Sequence, residues 1–305
     1  MPEVVSKLPQ GDSRPNSGQG GNLPQPASGN TPEPWSVEDF APVVAFLRQK
    51  IGITLETHRM GLLQARLRAR LQQRGFSSFY SFVDKVLRVD PNGPGMQLLV
   101  DLSTVNHTSF FREPAHFTFL AEQLQQAIRE AAGTPVRIWS AGCSSGQEPY
   151  SLAMILVDKI PNLTPQKVEI WASDLSLEVV KNAARAIYNT RDVAGVPPDL
   201  LRRYFMRGTG PKDGTFRVVP EVRDLVKFRH LDLRSPQWGV PTDFHAVLCR
   251  NVSIYFADEE RIKLLDRLSG CVRTGGWLIM GNGEILPTIP ASLRKVLPSV
   301  YRKES

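Results

Sequence analysis

Residues 136–151, VRIWSAGCSSGQEPYS, constrain the fold of this chain more than any other segment. Val136, Ile138 and Trp139 form a buried-type run, Gly142 and Gly146 lie in the loop that follows, and Glu148 and Pro149 open a helix. A strand, a tight turn and a helix start thus follow one another directly. The pattern continues along the chain. Strands are expected at Val136–Ser140, Val168–Ala172, Ala246–Cys249 and Trp277–Met280, and helices at Pro149–Ile160, Ser176–Ala186 and Asp258–Val272. Such alternation builds an α/β fold, a mainly parallel sheet with helices on both faces. Between about 188 and 233 the pattern changes. Thr215–Val219 and Leu225–Arg229 alternate or run apolar after Gly208, Gly210 and Gly214, which implies a small antiparallel insertion.

The rest of the chain divides by composition. Residues 1–34 are rich in Pro, Gly, Ser, Asn and Gln and cannot bury enough apolar surface to offset chain entropy, so a disordered tail is expected. Residues 35–90 have helical periodicity, with Ser36 as an N-cap and Asp39 three residues on. Leu63, Leu67 and Leu71 recur every four residues, beside a stripe of Arg66, Arg70 and Arg74, and Gly75 ends the helix. The arginine stripe is either a solvated face or a docking surface for an acidic or helical partner. Residues 91–105 hold a turn, Pro91-Asn92-Gly93-Pro94-Gly95, and a helix, and 106–305 form the main domain.

Bulk properties exclude several classes. No apolar stretch approaches the ~20 residues needed to span a bilayer. The segment MPEVVSKLPQ lacks the apolar core of a signal peptide, so a cytoplasmic location is expected. Cys143, Cys249 and Cys271 form no CxxC pair and give no metal spacing, which leaves free buried thiols. The net charge of +7 permits a nucleic-acid partner without demanding one.

The loop at Gly142–Glu148 sits where α/β folds bind small molecules, at the carboxyl end of a strand beside exposed helix N-terminal amides. It is neither GxGxxG nor GxxxxGK[ST], which weakens dinucleotide and nucleoside-triphosphate binding. An acid, Glu148, in place of a phosphate site favours a cationic ligand. S-adenosylmethionine fits, with its sulfonium and α-amino group. Asp174 ends the next strand in WASD, where an acid either accepts ribose hydroxyls or caps a helix. Arg250 and Asn251 follow an apolar run in CRNVSIYF, again at a carboxyl edge. In NHTSFFRE, Phe110 and Phe111 form either an aromatic wall beside Arg112 or ordinary core.

Taken in order, TSFFREPAHF, AGCSSGQEPYS, ASDLS, RYFMRGTGP and CRNVSIYF resemble the CheR family of chemotaxis protein-glutamate O-methyltransferases, a likeness that covers roughly residues 36–285. The resemblance implies an N-terminal all-helical domain and a class I, Rossmann-like S-adenosylmethionine-dependent methyltransferase domain with an inserted β-subdomain. It implies methyl transfer to the γ-carboxylate of glutamates on chemoreceptor helices, with S-adenosylhomocysteine as product and no metal. Asn106, Thr108, Arg112, Gly142, Glu148, Asp174, Asp232, Leu233, Arg250 and Asn251 fall on cofactor-pocket positions, with Glu148 toward the methionine amino group and Asp174 toward the ribose. Arg112 and Tyr255 match residues that position the methyl donor and the incoming carboxylate. The implied partners are receptor helices, met by the basic N-terminal helix face, with no nucleic acid and no membrane insertion. The β-subdomain, including RYFMRGTGP, resembles the part of some family members that docks receptor C-terminal tails and is otherwise a stabilising flap.

Three positions depart from the family pattern. Gln147 stands where an acid is usual, Asp232 where asparagine is usual near the adenine, and Gly281-Asn282-Gly283-Glu284 where Gly-His-Ser-Glu is usual. Two rival functions make different demands on these features. A nucleic-acid amino-methylating enzyme would carry [DNS]PP[YFW] where this chain reads CRNVSIYF. A non-catalytic module retaining only cofactor or partner binding is motivated by the changes at Asp232 and Asn282.

Overall fold

The computed structural model describes residues 65, 67–76, 78–82, 89, 93–103, 108–284, 286 and 288–304. The chain divides into two compact units, Met1–Ser103 and Thr104–Ser305. The expected tail, Ser36, Leu63 and Arg66 lie outside the described residues.

In the first unit Leu67 and Leu71 are buried while Arg70 and Arg74 are exposed, as stripes four residues apart require. Gly75, at φ +82°, ends that helix. The Phe76 N–H donates to the Leu71 carbonyl (3.0 Å) and the Gly75 N–H to that of Gln72 (2.9 Å), the paired bonds of a Schellman closure. Helix α1 (Pro94–Ser103) starts inside the stretch expected as a turn. Proline is well placed in a first helical turn, whose N–H groups have no helical acceptor.

The second unit runs α2 (Pro114–Glu130), β1 (Val136–Ala141), α3 (Gln147–Lys159), β2 (Val168–Asp174) and α4 (Leu177–Arg185). Then come β3 (Ile187–Asn189), α5 (Pro198–Tyr204), β4 (Phe205–Arg207), β5 (Thr215–Val218), α6 (Pro220–Arg223) and β6 (Val226–His230). It closes with β7 (Phe244–Cys249), α7 (Asp258–Cys271), β8 (Val272–Met280), β9 (Leu293–Leu297) and β10 (Val300–Lys303). Seven strands form one sheet in the order β6-β2-β1-β7-β8-β10-β9. The first five are parallel, and β10 and β9 add antiparallel at one edge.

Side-chain alternation along β1 feeds two cores. Ile138 enters one with Leu120, Leu124 and Ile128 of α2 and Leu152 and Leu156 of α3. Trp139 and Ala141 enter the other with Leu264, Leu265 and Leu268 of α7. Each fully buried leucine stabilises the fold by about 1.5–3 kcal/mol. From β1 the chain moves outward to β2, whereas β7 returns on the other side of β1. That reversal opens a crevice at the carboxyl ends of β1 and β7, where open α/β sheets bind ligands.

One strand is placed differently from the expectation. Leu225–Arg229 was assigned to the insertion, but β6 pairs in parallel with β2, Ile170 opposite Val226. A short apolar run does not reveal from periodicity which sheet it joins. The antiparallel insertion is the three-stranded sheet β3-β5-β4. Phe110 is 4.8 Å from Tyr188 and 5.4 Å from Phe205, ring centre to ring centre, which packs the insertion onto the main core.

Candidate active site

Two glycines shape the loop after β1. Gly142 (φ +89°) has no room for a side chain, since a Cβ would lie 2.3 Å from Val252 Cγ2. Gly146 (φ +92°) is similarly closed off by Ala183 and the Tyr188 hydroxyl. The loop is tied down by its neighbours. The Gly142 and Cys143 N–H groups donate to the Ser173 carbonyl, both at 2.8 Å, and the Tyr188 hydroxyl donates to the Ser145 carbonyl at 2.8 Å. Asp174, ending β2, accepts from the Ser144 N–H (2.8 Å) and the Ser176 N–H (3.0 Å), so one carboxylate links two strand-end loops.

Glu148 lies in the first turn of α3. It accepts from Ser140 Oγ at 2.7 Å and pairs with Arg250 Nη1 at 3.0 Å. Arg250, at the end of β7, has a side chain only 2% exposed. Its Nη2 also reaches Glu113 Oε2 (3.1 Å) and the Arg112 carbonyl, and its guanidinium lies 5.1 Å from the Phe117 ring centre. Glu113 in turn accepts from the Asn282 N–H at 3.3 Å. His116 Nδ1 is 3.4 Å from Glu113 but makes no hydrogen bond, and burial together with Arg250 holds its pKa below the usual value.

Charge at this edge is unbalanced. Three carboxylates, Glu113, Glu148 and Asp174, lie at this edge; the first two pair with Arg250, the one buried arginine or lysine among the described residues, and Asp174 accepts from backbone N–H groups. Burial pushes the pKa values of Glu148 and Asp174 upward, against the pull of Arg250 and Ser140 on Glu148 and of backbone N–H groups on Asp174. A cationic ligand would relieve that cost. Ionised carboxylates offer about four acceptor sites each, and Glu148 uses only two here. The donor set therefore suits S-adenosylmethionine. Cys143 and Cys249 lie beside these acids, and burial keeps both thiols protonated and inert.

The remaining expected residues fall into place unevenly. Thr108 is half-buried and the Arg112 side chain is exposed. Tyr255 is half-buried in a 3-10 turn, Ser253–Tyr255. Asn251 takes a left-handed conformation, φ 59°. Asn106 lies outside the described residues. Phe110 is core rather than wall, 3% exposed, whereas Phe111 is half-buried. Arg112 does not pair with Glu113, which faces Arg250 instead. Leu231 N–H donates to the Asp174 carbonyl at 2.9 Å, which brings Asp232 and Leu233 to the same rim. Both oxygens of Asp232, the residue that stands where asparagine is usual, accept from Arg234, at 2.6–3.1 Å. Leu233 is buried, and its carbonyl accepts from Trp238 Nε1 at 3.1 Å. Gln147 accepts from Ser145 Oγ (2.8 Å), a local bond that needs no acid at that position.

A family model described as "CheR methyltransferase, SAM binding domain" matches residues 106–301, and one described as "CheR methyltransferase, all-alpha domain" matches 38–101. The chain belongs to the CheR methyltransferase family. It is 36% identical over 281 residues to chemotaxis protein methyltransferase 2 of Pseudomonas aeruginosa, covering 92% of this chain and 98% of that one. It is 35% identical over 245 residues to the chemotaxis protein methyltransferases of Salmonella typhimurium and Escherichia coli, covering 80% of this chain and 83% of each. As a member of that family it is an S-adenosylmethionine-dependent enzyme of the class I, Rossmann-like fold with an N-terminal all-helical domain. It transfers the methyl group to glutamate side chains of chemoreceptors.

Two residues of the site escaped the sequence reading. Glu113 appears in the sequence only as the residue between Arg112 and Pro114. Glu284 stood out only as the end of an altered motif. Nothing local in the sequence marks either one, because both act on segments more than 30 residues away.

Proposed function

We propose that the carboxyl-edge cluster forms the methyl-donor pocket, with Glu148 accepting the methionine amino group and Asp174 the ribose hydroxyls. Thr108, Gly142, Asn251, Asp232 and Leu233 complete its walls. Arg250 serves there as a buried strut that fixes Glu148 and the Arg112–Glu113 segment, while Arg112 and Tyr255 orient the substrate carboxylate. The observation that carries this is a carboxyl edge with three acids, Glu113, Glu148 and Asp174, to one buried arginine, a field suited to a cation.

When bound, the donor supplies a methyl group on a positively charged sulfur. A glutamate side chain is already ionised at neutral pH, so no general base is needed. The chain's own task is alignment and partial desolvation of that carboxylate. An exposed arginine and a half-buried tyrosine hydroxyl can hold it by hydrogen bonds without fully quenching its charge.

We further propose that receptor helices dock on the arginine-bearing helix of the first unit, where Arg70 and Arg74 are exposed. The β3-β5-β4 sheet, with Ile187 and Met206 exposed, is proposed as a second contact. Free, buried cysteines suit a reducing compartment, which supports action in the cytoplasm. Calorimetry with S-adenosylhomocysteine tests the pocket. Glu148→Gln and Asp174→Asn are each expected to weaken binding by about tenfold or more. Wild-type affinity in both variants would overturn the assignment.

A further inference from the structure

We infer that Glu284 is a positioning residue for methyl transfer, acting through the loop that carries Arg250, Asn251 and Tyr255. The inference rests on the pocket assignment proposed above and adds a residue to which that assignment gives no role. Glu284 is 8% exposed, and its carboxylate accepts four hydrogen bonds. Oε2 takes the Asn251 N–H (2.8 Å) and the Gly281 N–H (2.6 Å). Oε1 takes the Ser253 N–H (2.9 Å) and the Ser253 hydroxyl (2.7 Å).

These bonds join the loops at the carboxyl ends of β7 and β8, adjacent parallel strands. Within the loop after β7, the Tyr255 N–H donates to the Val252 carbonyl (3.2 Å) and the Phe256 N–H to the Ser253 carbonyl (3.0 Å). Asn251 sits at φ 59°, and the 3-10 turn at Ser253–Tyr255 is preceded by Val252, which has no side-chain oxygen to cap it. Glu284 supplies that cap from 31 residues away. On the other side, the Glu284 N–H donates to the Gly281 carbonyl (3.0 Å), which closes the turn that aims the carboxylate inward. Gly281 has no space for a side chain, since a Cβ would lie 2.6 Å from Asn251 Nδ2 and 2.9 Å from Glu284 Oε2. The two loops are thus in close contact at this point. One residue before Asn251, Arg250 holds Glu148 and Glu113, and two residues after Ser253 stands Tyr255. A shift in the clamp therefore reaches the donor side and the acceptor side at once.

Glu284→Gln tests this at constant side-chain volume. All four partners donate, and a glutamine presents one acceptor oxygen and one NH₂ group, so two donors lose their acceptor. The expected result is S-adenosylhomocysteine binding weaker by about tenfold or more, together with a lower kcat at saturating donor. Leu268→Ala, in the α7 core away from the loops, is the control for stability alone. At a temperature where circular dichroism finds both variants folded, Leu268→Ala is expected to keep wild-type affinity despite a lower Tm. Should Glu284→Gln not fold, Ser253→Ala removes one of the four bonds and is expected to weaken binding about two- to fivefold. Wild-type affinity and kcat in Glu284→Gln, or in Ser253→Ala where that stands in, would overturn the inference. So would an equal affinity loss in Leu268→Ala. A wild-type protein that fails to bind S-adenosylhomocysteine would contradict the pocket assignment itself.

Discussion

Arg250→Met is the substitution with the largest effect expected from the structure. Methionine fills a similar volume and can still lie against Phe117, but it leaves Glu148 and Glu113 without their shared cation. Those side chains are 13% and 17% exposed, so water screens them poorly. Breaking a buried ion pair from one side costs about 3–5 kcal/mol. For a unit of this size each kcal/mol lowers Tm by about 2–4 °C, so a fall of roughly 6–20 °C is expected. The pH dependence has a definite sign. Burial already raises the pKa of Glu148 in the folded state, and Arg250 opposes that rise. Without Arg250 the pKa climbs further, so the folded protein binds a proton that the unfolded chain releases. Acidification therefore favours the folded variant, and its deficit relative to wild type is greatest at neutral pH and shrinks toward the ordinary carboxylate range. Urea unfolding followed by circular dichroism at several pH values measures this directly. A deficit below about 1 kcal/mol at neutral pH, or one that grows on acidification, would refute the strut role.

Further outcomes follow from the same geometry. Gly142→Ala should cost about 1–3 kcal/mol in urea unfolding, because φ +89° and the Val252 methyl both oppose a Cβ. Adding Val252→Ala should restore part of that loss but not the backbone share. Affinity for S-adenosylhomocysteine, measured by calorimetry, should begin to fall above the ordinary carboxylate range as pH is lowered, since burial raises Glu148 and Asp174. In Glu148→Gln that pH dependence should be reduced. Arg112→Ala should lower receptor methylation about 100-fold or more while changing stability by no more than about 0.5 kcal/mol, because its side chain is exposed. Wild-type turnover in that variant would remove Arg112 from the reaction.

How far the sequence could be read depended on the distance over which each feature is determined. The β1–Gly142–Gly146–α3 unit is local: an apolar run, two glycines and a helix start lie within one segment, and the structure places them within a residue or two. The helix end at Gly75 is likewise local, with the Gly75 N–H bonded three residues back and the Phe76 N–H five back. Strand β6 was misplaced because its partner, β2, is more than 50 residues away, and its own apolar pattern suits either sheet. The β9–β10 hairpin, which completes the sheet, drew no expectation from a short, basic segment. Strand β8 begins earlier than its apolar WLIM core, since Gly275 and Gly276 disguise its first half.

The candidate site followed the same division. Asp174 ends a strand and Glu148 opens a helix, and the sequence itself marks both places. What Arg250 does was not legible, because its guanidinium meets Glu148 and Glu113 across more than 100 residues of chain. The engagement of Asp232 by Arg234 was hidden for another reason. A backbone turn, not a motif, brings residues two apart face to face.

The most direct test is transfer of label from tritiated S-adenosylmethionine to receptor-containing membranes from the source organism. The label is then treated with base. The account predicts label on receptor that base releases as volatile methanol, the mark of a carboxyl methyl ester. S-adenosylhomocysteine binding without any such label, or base-stable label on RNA or DNA, would contradict it.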